Sequence, residues 1–401
     1  MTQQDIVETA FRVWGRNFYL DTSLSFLARE LGVSKTAIYR HFRDKQALKD
    51  AMHQRFFDRY ADYIRDDFVR ASAAGDDAES FSLVLRVQAE YFARNPWEFV
   101  FCLAEVYSDR EPEKMMEQLL KRGIDMLSHR RAAKYSEGYP SLTQMVTASL
   151  IFWIACFHKR NSKDASVLNE NPGEDEIKGL VAFVENVITG GLGLKKEKTE
   201  KLDFESLETS AGFRDIGNIE NGTLFKAVAE AVAEAGPWNV SMDMVARRSG
   251  LSKSSLYGHF RNRQDMLRRL FVTEFTHIAK FAREGIELSA VPEEQLYLGL
   301  FSIVSYLRQR PEILVAISWI RTRRLNLGRH ASYRSFQVFE TIRFDLRQDW
   351  EKVPAKTISH WLTFLVVNIL MHFSEGMNFA GFPNENIRIL YRFVTLGVKG
   401  F

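Results

Sequence analysis

GVSKTAIYRHFRDKQ, at Gly32–Gln46, returns almost unchanged as GLSKSSLYGHFRNRQ at Gly250–Gln264, at a constant shift of 218 residues. Eight of the fifteen positions are identical, and five more carry residues of the same kind. Unrelated segments of this length would share about one identity, so the chain contains an internal duplication.

The same shift relates the residues around these segments. Apolar residues at helical spacing precede both copies: Ile6, Val7, Ala10, Val13, Trp14 and Phe18 in the first, and Leu224, Phe225, Val228, Ala231 and Val232 in the second. Serines and Asx residues are placed to cap the next helices, and glycines to end the first short helix: Ser23, Gly32, Ser34 and Asp44, and Ser241, Gly250, Ser252 and Asn262. Both copies are therefore predicted to run helix, short helix, tight turn, short helix, long helix.

Beyond the duplicated segments the similarity weakens but the helical pattern persists. YFARNP at Tyr91–Pro96 is similar to YLRQRP at Tyr306–Pro311, and amphipathic helices end both copies near Gly190 and Gly400. Strand-like alternation is nowhere convincing, so we predict an all-α fold. Between the copies, Gly191–Glu220 opens with GLGLKKEKTEK, a glycine-containing and charge-dense start that indicates a solvated linker.

Composition narrows the class of protein. The formal net charge is only +3, but Met1–Tyr60 holds ten Lys/Arg against seven Asp/Glu, and Ile219–Ile278 eight against six. Both segments are mildly basic, which is compatible with a phosphate-binding surface. The only two cysteines, Cys102 and Cys156, fit a reducing cytoplasm. No signal peptide is recognised, and no apolar stretch reaches the ~20 residues of a membrane span. We expect a cytoplasmic protein with no membrane partner.

Several common catalytic motifs are absent from the sequence, so we do not expect an enzyme. It lacks H-E-x-x-H, G-x-S-x-G, a Walker loop and a dinucleotide glycine fingerprint. His158 lies two residues from Cys156, a helical spacing that points the side chains apart. We therefore expect no catalytic residue, no metal site and no cofactor.

The turn and the second short helix have the layout of a helix-turn-helix. Apolar positions face the preceding helix: Val33, Ile38 and Phe42, and Leu251, Leu256 and Phe260. The outer face offers hydroxyls and cations for phosphates and base edges, and an alanine for a thymine methyl group. The candidate DNA-binding residues are Ser23, Ser34, Lys35, Thr36, Ala37, Tyr39, Arg40, His41 and Lys45, and Ser241, Ser252, Lys253, Ser254, Ser255, Tyr257, His259 and Arg263. Alternatively, the tyrosines and histidines pack inside the head, and the cations are merely solvated.

At these residues the chain closely resembles the tetracycline-repressor (TetR) family of bacterial regulators. The family pattern is A-x-x-x-G-[VL]-S, then Y-x-x-F, then a basic residue opening the next helix. The first copy has ARELGVS at Ala28–Ser34, YRHF at Tyr39–Phe42, and Lys45; the second has ARRSGLS at Ala246–Ser252, YGHF at Tyr257–Phe260, and Arg263. The resemblance covers about Ile6–Arg59 and Leu224–His277.

The resemblance implies two TetR-like units in one chain, each a helix-turn-helix head followed by a helical ligand and dimerisation bundle. The predicted segments are a first head at 1–60, a first bundle at 61–190, a linker at 191–220, a second head at 221–278 and a second bundle at 279–401. Family members are homodimers whose heads occupy successive major grooves and whose last two helices form a four-helix dimer interface. A small molecule in the core moves the heads apart, so we expect this chain to be a repressor released by a small-molecule effector. The implied partners are a double-stranded DNA operator and a small-molecule effector.

Carrying two units leaves several arrangements open. One chain acts as its own dimer, with half-sites 34–36 Å apart, or two chains pair into a four-headed homodimer. Because Gly258 replaces Arg40 and Ser255 replaces Ala37, the first arrangement predicts an imperfect palindrome. A third alternative is a small-molecule carrier or protein-interaction scaffold that no longer reads DNA.

No ligand-binding residue is assigned. Aromatic residues crowd the later helices, and most of them are expected to fill cores: Trp97, Phe99, Phe101, Phe152, Trp153, Phe157, Trp319, Trp361, Phe364 and Phe373. His158, Asn368 and His372 lie beside apolar runs and are expected to be hydrogen-bonded rather than to read a ligand.

Overall fold

All regular elements of the computed structural model are helices, with no strand among the residues it describes. Those residues are 2–17, 23–73, 77–106, 112–125, 140–159, 168–212, 214, 216, 222–314, 316, 337–373 and 382–401. The prediction of an all-α fold is confirmed. Phe18 and Trp319 lie outside the described residues, as do the side chains of His372 and Phe373.

The chain divides into two compact units. The first comprises Met1–Gly138 and Leu150–Glu185, and the second comprises Tyr139–Ser149 and Asn186–Phe401. The first repeat supplies α1 Gln3–Asn17, α2 Leu24–Glu30, α3 Lys35–Tyr39, α4 Lys45–Ala73, α5 Asp77–Arg94, α6 Pro96–Phe101, α7 Pro112–Leu120, α8 Pro140–Lys159 and α9 Glu174–Gly190. A π-helical turn, Cys102–Val106, continues α6. Because α8 and α9 cross the boundary, the units do not follow the repeats.

The rest of the chain lies in the second unit. Its helices are α10 Lys196–Thr199, α11 Phe204–Ala211, α12 Gly222–Asn239, α13 Met242–Ser249, α14 Lys253–His259, α15 Arg263–Ile286, α16 Pro292–Gln309, α17 Ala355–Phe373 and α18 Asn384–Leu396. Helix α12 is interrupted at Gly236, whose φ is +74°. Short 3-10 helices occur at Val338–Thr341, Gln348–Trp350 and Gly397–Gly400.

The predicted apolar faces of the heads are buried. One face of α1 is buried, and so is the matching face of α12. The buried residues are Ile6, Val7, Ala10, Val13 and Trp14 in α1, and Leu224, Phe225, Val228, Ala231 and Val232 in α12. The long helices α4 and α15 then connect each head to the helices behind it, α4 packing along α5 and α15 along α16. Each head is therefore joined by one continuous helix to the helices that follow it in the chain.

A buried ionic cluster joins α4 of the first unit to the helices behind the head. Arg59 lies 2.7 Å from the Glu98 carboxylate, and the Tyr91 hydroxyl also donates to Glu98. Burial raises the pKa of Glu98, although Tyr91 and Arg59 act in the opposite direction. The cluster bridges α4, α5 and α6, so these three helices are held as one block.

The segment between the repeats differs from the prediction of a solvated linker, which is wrong for residues 191–212. Leu192 and Leu194 are buried, and helices α10 and α11 form within the segment. The Leu192 N–H donates to the Val394 carbonyl at 2.8 Å. The segment folds because apolar residues among its charges, Leu192, Leu194 and Ala211, are buried in the second unit. The five-segment division itself stays a prediction.

The polar residues beside apolar runs have protein partners. His158 is fully buried with Nε2 2.9 Å from the Phe92 carbonyl oxygen, and the Asn368 amide donates to the Phe364 carbonyl. Burial lowers the pKa of His158. Both therefore act as structural residues. In the described part of the chain, every helix is too short or too polar to span a bilayer.

Candidate nucleic-acid interface

The capping serines stand where the sequence predicts them. Ser23 accepts from the Phe26 N–H at 3.1 Å and Ser34 from the Ala37 N–H at 3.2 Å. In the second head, the same bonds join Ser241 to Met244 and Ser252 to Ser255. Each hydroxyl uses its oxygen as acceptor, and a hydroxyl can at the same time donate its hydrogen to a phosphate oxygen. Ser252 Oγ also lies 3.0 Å from Ser254 Oγ, and either hydroxyl can be the donor of that bond.

The turn between the two short helices requires glycine. Gly32 and Gly250 have φ of +67° and +70°, and no atom lies within 4 Å of where a Cβ would be. Conformation rather than space therefore selects glycine here. The next N–H closes the turn in both heads, from Val33 to the Ala28 carbonyl at 2.9 Å and from Leu251 to Ala246 at 3.1 Å.

The second short helix has the predicted two faces. Ile38 and Leu256 are fully buried, and Phe42 and Phe260 are nearly so, whereas Val33 and Leu251 are only half-buried. Tyr39 and Tyr257 are 44% and 49% exposed. The other exposed candidates are Ser23, Ser34, Lys35, Thr36, Arg40 and His41, and Ser252, Lys253, Ser254, Ser255 and His259. Packing inside the head is therefore the wrong interpretation for these tyrosines and histidines.

Four candidates are half-buried: Ala37, Lys45, Ser241 and Arg263. Lys45 and Arg263 open the long helices α4 and α15, where Asp44 and Asn262 cap the first turn by accepting from Ala47 and Asp265. A cation at a helix N-terminus opposes the helix dipole, a mild cost that a bound phosphate would offset. The DNA contacts of all seventeen candidates stay a prediction.

An ionic contact that we did not predict distinguishes the second short helix of the two heads. Lys253 Nζ lies 3.0 Å from the Asp243 carboxylate, whose hydrogen bond raises the pKa of that lysine. The matching residue of the first head is Ser25, and there Lys35 Nζ lies over the Tyr39 ring, 5.5 Å from its centroid. The substitution Ser25/Asp243 was the signal in the sequence. The second head therefore carries the negative charge of Asp243 beside Lys253, the first residue of α14.

A glycine inside α14 gives a direct test of local structure. Gly258 is exposed, has no positive φ and would place a Cβ in open space. We expect Gly258→Ala to stabilise the second head by up to about 1 kcal/mol, because alanine restricts the unfolded chain and favours helix. Native-state hydrogen exchange of the α14 amides measures this. Faster exchange in the variant would contradict the expectation.

Comparison with known protein families identifies the same two helix-turn-helix segments. The family model for bacterial regulatory proteins of the tetR family matches the chain twice, at residues 6–52 and 224–270. These two matches contain both sets of capped short helices and the starts of α4 and α15. No curated protein sequence matches the chain closely.

Proposed function

The chain is a tandem member of the tetR family of bacterial regulatory proteins, a DNA-binding transcriptional regulator, and we propose that its two heads read the halves of one operator. In this proposal one molecule acts as a covalent pseudo-dimer in the cytoplasm. It represses transcription until a small-molecule effector releases it from DNA.

The main support for a pseudo-dimer is that the end of the first repeat packs against α18 within the second unit. The N–H groups of Leu192 and Gly193, just beyond α9, donate to the carbonyls of Val394 and Thr395 in α18. Family members pair through their last two helices, and here the residues that directly follow α9 bond to α18 within one folded unit. This supports pairing within the chain.

A second contact of the same unit joins the penultimate helices of the repeats. The Trp361 indole N–H of α17 donates to the Ser149 hydroxyl of α8 at 3.1 Å, and both side chains are fully buried. A buried indole N–H without an acceptor would cost about 1–3 kcal/mol, so this bond favours one arrangement of the two helices. It supports pairing of the two repeats within one chain.

Differences between the exposed faces support an imperfect palindrome. Arg40 of the first head is exposed, whereas Gly258 presents no side chain at the matching position. Ala37 likewise corresponds to Ser255, which exchanges a methyl group for a hydroxyl. An arginine side chain can read guanine or bind phosphate, and Gly258 has no side chain to do either. The two half-sites should therefore differ where these side chains point.

The Asp243–Lys253 pair leads us to expect unequal ionic attachment of the heads. Lys35→Ala should reduce the slope of log affinity against log salt by about 0.9, the loss of one phosphate contact. Lys253→Ala should reduce it less, because Asp243 already balances that lysine. Replacing Asp243 by serine, as in the first head, should steepen the salt dependence. Salt titrations of operator binding check this; equal effects of the two lysine substitutions would contradict it.

The function itself is tested by selecting bound sequences from random duplex DNA with the full chain. The expected result is one site with two related, unequal half-sites about one helical turn apart. A mobility-shift titration at two salt concentrations then measures affinity, and light scattering of the DNA-free protein distinguishes one chain from two. No enrichment and no binding at low salt would overturn the proposal. Two chains per complex would overturn the pseudo-dimer alone.

A further inference from the structure

An open cleft of about 720 Å³ lies in the second unit, between α11 of the inter-repeat segment and helices α16 and α18. Its volume is within the range of small-molecule sites. The lining is mostly polar and contains three arginines, Arg214, Arg308 and Arg388. Helix α11 lies outside both matched heads and belongs to the inter-repeat segment. The cleft therefore forms only when that segment is folded.

Glu208 holds α11 against the unit. Its carboxylate accepts from Arg388 Nε at 2.9 Å, from Asn384 Nδ2 at 2.7 Å and from the Tyr297 hydroxyl. Burial alone would raise the pKa of Glu208, but these hydrogen bonds outweigh it and the pKa lies below its usual value. The charge of Arg388 is thereby balanced by Glu208, which leaves the other two arginines.

Those two guanidinium groups have poor counter-charges. Within the described part of the chain, no carboxylate lies at ion-pair distance from Arg308, whose Nη2 donates to Asn384 Oδ1 at 2.8 Å. Arg214 donates to the Ser302 hydroxyl, and its nearest carboxylate, on Glu284, is 3.9 Å away. Among these residues, Arg308 Nε and Arg214 Nη1 are buried without an acceptor.

A partly buried cation whose counter-ion is absent, as for Arg308, or distant, as for Arg214, is costly. Burial accordingly lowers the pKa of both Arg308 and Arg214. Glu205 also lines the cleft, but it is exposed and makes no ion pair with either arginine in the described residues. The cleft therefore has an excess of positive charge beside one aromatic wall, Phe301.

We propose that this cleft binds a small organic carboxylate, with the carboxylate facing Arg308 and Arg214 and the apolar body against Phe301. A guanidinium group matches a carboxylate as a bidentate partner, so the ligand would supply the charge that the protein lacks. As an effector site this assignment rests on the proposed function. It places the site outside the core of either repeat, on a helix that joins them.

Calorimetry on the full DNA-free chain tests the site with 2-naphthoate and its uncharged analogue 2-naphthamide. We expect 2-naphthoate to bind at least about tenfold more tightly, because only the carboxylate makes charge-assisted hydrogen bonds. Arg308→Gln should remove this preference. Arg392→Gln, at an exposed arginine of α18 that does not line the cleft, should keep it.

A second variant guards against a folding defect in Arg308→Gln. Thr209 is exposed on α11 and lines the cleft, so Thr209→Trp fills it and leaves all three arginines in place. This variant should abolish 2-naphthoate binding and keep the melting temperature. Absence of saturable binding at millimolar 2-naphthoate, equal binding of the amide, or unchanged binding by Thr209→Trp would each overturn the site.

The effector role has its own readout. With the operator selected as above, saturating 2-naphthoate should weaken DNA binding by about 5- to 150-fold, the usual range of allosteric coupling. Binding to the cleft with no change in DNA affinity would overturn the effector assignment. Since the calorimetry contains no DNA, a failure of the site and a failure of DNA recognition are observed separately.

Discussion

Gly397→Ala should destabilise the second unit by at least about 3 kcal/mol. Gly397 follows α18 with φ +65° and ψ −159°, a conformation that other residues rarely adopt. A Cβ there would also lie 2.4 Å from the Gly190 nitrogen and 2.6 Å from the Ile188 carbonyl oxygen. Both atoms are backbone, so neither can rotate away. The close crossing of the two repeat ends would have to open.

The measurement is chemical denaturation followed by operator binding. Because Gly397 lies where the repeat ends meet, operator affinity should also fall toward that of a single head, a loss of about a hundredfold or more. Gly179→Ala is the matched control, since that exposed glycine of α9 has open space around its Cβ and no positive φ. Equal stability of the Gly397→Ala protein and the control would refute this packing.

Arg310→Leu should cost about 3–5 kcal/mol at neutral pH, because it leaves a buried carboxylate unpaired. Glu274 is fully buried, with Oε1 2.7 Å from Arg310 Nη2 and Oε2 2.8 Å from the Tyr306 hydroxyl. An exposed pair provides the control: Lys196, 3.5 Å from Glu200, should lose less than about 1 kcal/mol on substitution by leucine.

The loss in Arg310→Leu should depend on pH in a defined direction. Burial already raises the pKa of Glu274 above its usual value although Arg310 and Tyr306 lower it, and removal of Arg310 raises it further. A carboxyl whose folded pKa exceeds its unfolded pKa stabilises the protein less as pH rises through the folded pKa. The defect should therefore shrink as pH falls toward the unfolded value.

Urea unfolding of the parent and variant proteins between pH 5 and 8, about the window of greatest stability, measures this dependence. The double variant Arg310→Leu/Glu274→Leu should recover part of the stability, since the fully buried charge of Glu274 is gone. Glu312, whose carboxylate lies 2.7 Å from Arg310 Nε in the parent protein, still loses its partner in this variant. A defect in Arg310→Leu that grows on acidification, or a double variant no better than the single one, would show that the pair has another role.

Much of each head was predictable because its determinants are local. A capping serine accepts from an N–H three residues later, as Ser34 does from Ala37, and Gly32 sets the turn by its own φ. Burial of Ile38 follows from helical spacing alone. Such interactions span a few residues, so a pattern of fifteen residues contains nearly all of them.

Pairings between distant residues were not predictable. The motif around Tyr91 and Tyr306 is visible in both repeats, yet the carboxylates that meet these hydroxyls, Glu98 and Glu274, come from different helices. The docking of α11 through Glu208 onto Arg388, 180 residues away, likewise overrides a composition that suggested a solvated linker.

Helix type, caps and turns thus depend on neighbours along the chain, which the residue order states directly. Which charges become buried, and with which partner, depends on what desolvates them, and desolvation is a property of the packed structure. The two heads therefore follow from the residue order. The joined repeat ends, the contact of Asp243 with Lys253 and the arginine-lined cleft are consequences of the tertiary fold.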